Sequence, residues 1–122
     1  MIPVIAHILT ALIALGHLYF LWIEMFAWET VGKKTFKTFP KELFKPTKGL
    51  AANQGLYNGF LVAGLLWSFF ISDLQWATNI RLFFLGCVIV AGIFGGLTVS
   101  KKIFTIQALP AIIAIVFVLL AS

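Results

Sequence analysis

Acidic side chains and cysteine are scarce in this chain: four Asp or Glu and a single Cys occur in 122 residues. One cysteine excludes an internal disulfide and any multi-cysteine metal site. Cys87 stands in an apolar run and reads as a buried free thiol. Charge of either sign is thin, at 11%, where average soluble chains carry about 25%. Signatures of common hydrolytic and nucleotide chemistry are missing as well. No catalytic-serine motif, glycine-rich phosphate loop or HExxH sequence occurs. No metal ligand set, cofactor or catalytic residue is therefore assigned from the sequence.

Apolar residues take the place of charge. They make up 61% of the chain, and the mean hydropathy is +1.05. A soluble domain of this size keeps much of its surface wet and cannot hide so much apolar area. The reading is an integral, multi-pass protein of the cell membrane. Crossing a bilayer as a helix takes about 20 apolar residues, and four segments qualify, at about 2–28, 50–71, 80–99 and 103–121. The expected fold is an all-α four-helix bundle, one transmembrane domain over residues 1–122. The first segment lacks a basic start, and its apolar run is too long for a cleaved leader, so it reads as a retained span. Pro3 falls in its first turn, where a missing N–H costs little.

The net charge of +5 would suit nucleic acid, but its placement argues for a bilayer. Lys33, Lys34, Lys37, Lys41, Lys45 and Lys48 lie between spans one and two, and Lys101 and Lys102 between spans three and four. The N-terminus, the expected turn at Asp73–Asn79 and the C-terminus carry no Lys or Arg. Four crossings put every lysine on one face, and the positive-inside rule makes that face cytoplasmic. Both termini are expected outside. The polybasic loop also interleaves Phe36, Phe39, Leu43 and Phe44 with its lysines, while Pro40 opens and Pro46 closes a short helical turn. Such a segment is expected to lie on anionic headgroups, rings down and lysines snorkelling. His7 and Arg81 read as interface residues, and Trp67 and Trp76 suit an aromatic belt.

Polar residues inside the spans carry the functional signal. Asn53, Gln54, Tyr57 and Asn58 crowd the first third of span two. At about 100° per residue, they share one broad face, with Tyr57 about 40°, Gln54 about 100° and Asn58 about 140° from Asn53. Ala52, Gly55, Gly59 and Ala63 fall opposite, small enough to admit another helix closely. Thr10, His17 and Glu24 recur every seven residues on span one, with Trp28 one turn later. A carboxylate within a span costs about 2.5–3.5 kcal/mol, so Glu24 is expected to face inward. By helical rise, Glu24, the span-two cluster and Gln107 share a layer about 4–12 Å above the inner ends of their spans. His17 stands about 10 Å further out than Glu24, too far for both to ligate one metal at bonding distance. In span three, Gly92 and Gly96 mark tight helix packing or a homo-oligomer face.

The stretches HLYFLWIEMFAW and NQGLYNGFL resemble a family of small bacterial membrane proteins designated domain of unknown function 1304. The likeness runs over the whole chain: length, four spans, the lysine-bearing first loop and the Asn-Gln-Gly-x-Tyr-Asn-Gly motif. His17, Glu24, Trp28, Asn53, Gln54, Tyr57 and Asn58 match its pattern. The resemblance implies architecture and no activity.

Three functions fit these residues. The first is binding or transport of a small, partly apolar or cationic solute, proton-coupled through Glu24 and oriented by the amides, with His17, Trp28 and Gln107 as further lining. A narrow four-helix cavity would then favour two or more copies, parallel rather than antiparallel because the lysine bias fixes one orientation. The second is a membrane enzyme acting on a lipid, quinone or other lipophile, with Glu24 and His17 as acid–base groups. The third is an accessory subunit whose polar layer only fixes packing. No nucleic-acid partner is expected.

Overall fold

Membrane-grade sequence favours helix because each backbone N–H and C=O is satisfied within its own segment. The computed structural model describes residues 1–122 and is helical throughout, with no strand. In chain order the elements are α1 (Ile2–Phe26), α2 (Val31–Thr35), a 3₁₀ turn (Lys41–Leu43), α3 (Lys48–Trp67) and α4 (Leu74–Thr98). A last rod follows, made of α5 (Lys101–Ile103), a π-helical turn (Phe104–Ala108) and α6 (Leu109–Ala121). Three helices are long and apolar enough to cross a membrane: α1, α4 and the rod Lys101–Ala121. Helix α3 has 20 residues, and its polar cluster dilutes an otherwise apolar run.

Helix ends follow local chemistry. Helix α4 begins at Leu74, where the sequence reading had a turn extending to Asn79. Asp73 is extended, and its carboxylate accepts from the Trp76 N–H at 2.9 Å, an N-cap that lets the helix start a turn and a half earlier. Pro110 explains the π-helical turn. It has no N–H to offer the carbonyl four residues back, and its ring crowds that carbonyl, so the turn just before it widens.

The chain forms two compact units, residues 1–14 with 63–122 and residues 15–62. In the first, α4 buries Ala77, Arg81, Leu85, Val88 and Gly92, spaced by three and four, and packs along the π-helical turn and α6. The facing stripe is Ala108, Ala111, Ala114 and Val118. Gly92 lies so close to Ala108 that a Cβ would stand 2.5 Å from the Ala108 nitrogen, and one at Gly96 would stand 2.8 Å from the Phe104 Cβ. The Gly92–Gly96 spacing serves close packing within the chain.

In the second unit, the segment joining α1 to α3 folds on itself. Pro40 starts the 3₁₀ turn, as its spacing suggested. The rings, however, do not all point toward headgroups as expected. Phe44 is 0% exposed. It packs 4.7 Å from Trp28 and edge-on to Phe39 at 5.0 Å, while Phe36 sits 5.6 Å from Trp28. Aromatic rings carry large apolar areas and gain further from tilted and edge-to-face contact with one another. Leu43 alone of the four stays exposed.

Candidate functional site

The site grows from one close helix approach inside residues 15–62. Gly55 and Gly59 stand one turn apart on α3, and the C-terminal half of α1 settles against them. A Cβ at Gly55 would come within 2.6 Å of the Met25 Cγ and 3.0 Å of the Glu24 Cβ; one at Gly59 would meet Leu21 Cδ1 at 3.0 Å. Without side chains in the way, Glu24 is carried onto α3. Its Oε1 accepts a hydrogen bond from the Asn58 Nδ2 at 2.5 Å.

Asn58 sits where this meeting requires. Buried positions on α3 are Ala51, Gly55, Val62, Gly64 and Leu65; all but Gly64 share one stripe, and Asn58 falls between Gly55 and Val62 on it. Both partners are half-buried. The carboxylate Oε2 and the Asn58 carbonyl oxygen make no hydrogen bond or ion pair within the chain. The pair therefore presents acceptor oxygens at the edge of a helix seam. Chemically, that suits a cationic group or a hydrogen-bond donor.

The remaining expected residues are distributed around this pair. Asn53, Gln54 and Tyr57 are exposed, Tyr57 at 52%. Tyr57 leans on Phe60, 5.7 Å between rings. They border the pair on the same helix, and the structure does not pack them against α1. His17 is buried, 5% exposed, and is engaged in its own interaction. Trp28 is committed to the loop, its Nε1 donating to Thr47 Oγ1 at 3.0 Å. Gln107 is half-buried on the π-helical turn, in the other unit. Thr10, also in that unit, is buried and donates to the Ala6 carbonyl at 2.8 Å. No group of three or more His, Cys, Asp and Glu side chains converges.

Lys33, Lys34, Lys37 and Lys41 line an open concavity, and Lys45 is exposed. Lys48 Nζ lies 3.6 Å from Glu29 Oε2, an exposed pair of small energetic weight. Arg81, read from the sequence as an interface residue, is also buried within the protein, 6% exposed. Its place at a four-residue step from both Ala77 and Leu85 on the α4 stripe was the available signal.

These features define a class: a small, all-helical protein with three helices of membrane-crossing length and apolarity. Comparison with known proteins makes the family specific. The chain matches the family described as "Protein of unknown function (DUF1304)" over residues 11–119, and it belongs to that family. A relative described as "Uncharacterized protein YpaA", from Lactococcus lactis subsp. lactis, is 36% identical over 113 residues, covering 89% of this chain and 92% of the relative. No solved structure matches the chain. The matched residues include Glu24 and the whole of Asn53–Asn58, and the family description assigns them no activity.

Proposed function

We propose that this is a four-span protein of the cell membrane that binds, and carries, a small lipophilic solute bearing a cationic or hydrogen-bond-donating group, received by Glu24 and Asn58. The carrying observation is the hydrogen bond between Glu24 and Asn58, which leaves the second carboxylate oxygen and the Asn58 carbonyl oxygen without a partner in the chain. Charge arithmetic supports α3 as the fourth crossing. If α3 did not cross, Lys101 and Lys102 would fall on the face opposite the six lysines of the first loop. With α3 crossing, all eight lie on one side, as the positive-inside rule favours. Twenty residues rise about 30 Å, enough to traverse the hydrocarbon layer. The termini are then outside and the polybasic loop is cytoplasmic, where its lysine-lined concavity meets anionic headgroups.

Exposed amides on a spanning helix are costly against acyl chains. Asn53 and Gln54 are therefore covered by a second, parallel copy or by the bound solute. Glu24 is the group whose charge the ligand reads. A proton and a cationic solute compete for the same carboxylate, so binding weakens as the medium is acidified, which is the basis of proton coupling.

The test uses the full chain in lipid nanodiscs with tetraphenylphosphonium, a lipophilic cation, and triphenylphosphine oxide, its neutral counterpart. Saturable binding of the cation is expected, weakening at lower pH, and Glu24→Gln should abolish both the binding and its pH dependence. Binding unchanged in Glu24→Gln, or no saturable binding in the wild type, removes the proposal and leaves the pair as a helix clamp.

A further inference from the structure

Arg81 stands in an unusual place for the chain's single arginine. It occupies the buried stripe of α4 between Ala77 and Leu85, and only 6% of it is exposed. Its guanidinium is always charged. A buried charge is normally paired, because removing it from water without a partner is costly. No carboxylate of the chain pairs with it. The one ion pair is Lys48 with Glu29. Asp73, at the start of the same helix, is used at its own N-cap.

The chain holds only part of the group. Arg81 Nε donates to Ser68 Oγ at 3.1 Å, and Ser68 Oγ in turn donates to the Leu65 carbonyl at 2.6 Å. The guanidinium carbon lies 4.7 Å from the Phe69 ring centroid. His7 borders the same ring at 5.4 Å, with its Nδ1 turned to the Pro3 carbonyl. The terminal nitrogens have no partner in the chain. Every fully buried side-chain nitrogen or oxygen does have one, so those nitrogens reach the molecular surface. The stem and Nε are fixed, the ring seats the plane, and the outer N–H edge is left open. That is a preoriented half of a two-pronged contact, the geometry that guanidinium groups use for oxyanions.

We propose that Arg81, positioned by Ser68 and Phe69, is a binding site for a phosphate oxyanion supplied from outside the chain, either a phospholipid headgroup or free phosphate. Arg81 stands at the start of the span expected at about 80–99, where a long cationic side chain can reach the level of a lipid phosphodiester. The site shares no residue with the Glu24–Asn58 pair, so either can fail without the other.

The experiment uses the full chain in neutral detergent. Native mass spectrometry follows retention of phosphatidylglycerol, in a background where Lys33, Lys34, Lys37, Lys41, Lys45 and Lys48 are all changed to Gln so that the basic loop does not contribute. Arg81→Gln should weaken phosphatidylglycerol retention by about tenfold or more, the loss of charge-assisted hydrogen bonds. A thermal shift with inorganic phosphate separates the sources: stabilisation of Arg81 protein but not of Arg81→Gln by phosphate, without a lipid effect, assigns the free ion. Neither lipid retention nor phosphate response changing in Arg81→Gln overturns the site. A second measurement needs no substitution. Phenylglyoxal attacks arginine, and this chain has one. Arg81 should react in neutral detergent and be protected by phosphatidylglycerol or phosphate. Failure to react, or reaction at the same rate with both anions present, also overturns it.

Discussion

Gly92→Ala tests the packing of the C-terminal hairpin most directly. The new methyl would stand 2.5 Å from the Ala108 nitrogen, 2.7 Å from its Cβ and 2.9 Å from its Cα. Carbon contacts are comfortable near about 3.5–4.0 Å, and two of the three obstructing atoms are backbone, which no rotamer change can move. Helix α4 and the π-helical turn must therefore separate by roughly 1 Å, forfeiting about a quarter to a half of the dispersion energy at each facing pair. Overpacking of this kind costs about 1–3 kcal/mol. Alanine also returns about 0.5–1 kcal/mol of helix propensity, so the bare substitution understates the clash. Gly86→Ala is the control, because it lies in the same helix and a Cβ there meets nothing within 4 Å. The propensity gain is common to both variants, and their difference isolates packing, at about 1–3 kcal/mol. Equilibrium unfolding of the full chain in mixed micelles, driven by dodecyl sulfate and followed by far-UV circular dichroism, measures it. Adding Ala108→Gly to Gly92→Ala should restore only part of the loss, since the Ala108 nitrogen and Cα remain. Gly92→Ala as stable as Gly86→Ala would refute the close approach.

Other substitutions probe the second unit by the same unfolding assay. Asn58→Ala strips the Glu24 carboxylate of its donor and should cost about 1–3 kcal/mol, whereas Asn53→Ala, at an exposed position, should stay within about 0.5 kcal/mol; equal effects would mean that the Glu24–Asn58 bond contributes nothing specific. Phe44→Ala empties the centre of the aromatic cluster and should cost about 3–5 kcal/mol, with emission shifting toward the red, as the ring neighbour is lost, in a background where Trp22, Trp67 and Trp76 are changed to Phe so that Trp28 is the one emitter. An unshifted emission would place Trp28 outside that cluster.

Helix existence was legible because it rests on long apolar runs, and every expected span overlaps an observed helix. Helix ends were less so. The Asp73 cap extends α4 over Gln75 and Trp76, residues whose polarity and bulk read as an interfacial turn. The burial of Phe44 was not legible in the loop for a related reason. Phe36, Phe39, Leu43 and Phe44 interleaved with lysines carry the same composition whether the rings meet lipid or each other. Only the fold of the 3₁₀ turn, which brings Phe44 under Trp28, separates the two outcomes. Likewise a Gly-xxx-Gly spacing says that some helix comes close, and not whether it belongs to the same chain.

The sequence put Glu24 and Asn58 on two helices that the structure brings together, and the exposure of the other polar residues of α3 has a geometric cause. Grouping Asn53, Gln54, Tyr57 and Asn58 by their shared arc treated a face about 140° wide as a single direction. A packing seam is narrower than that. On α3 the seam is Ala51, Gly55, Val62 and Leu65, in steps of three, four and seven, and of the four polar residues only Asn58 completes it. On α1 the same test selects Glu24, one turn before buried Ala27 and seven residues after buried His17. On α4 it selects Arg81. Read this way, each of these helices places an ionisable or amide group where an apolar residue would pack with less cost. Glu24 and Asn58 answer each other, and that meeting leaves oxygens to spare. Arg81 has no acidic answer in the chain, and that gap is what the proposed oxyanion fills. A polar residue on a seam is thus a stronger signal than a polar cluster on a face, because the seam forces the residue to find a partner.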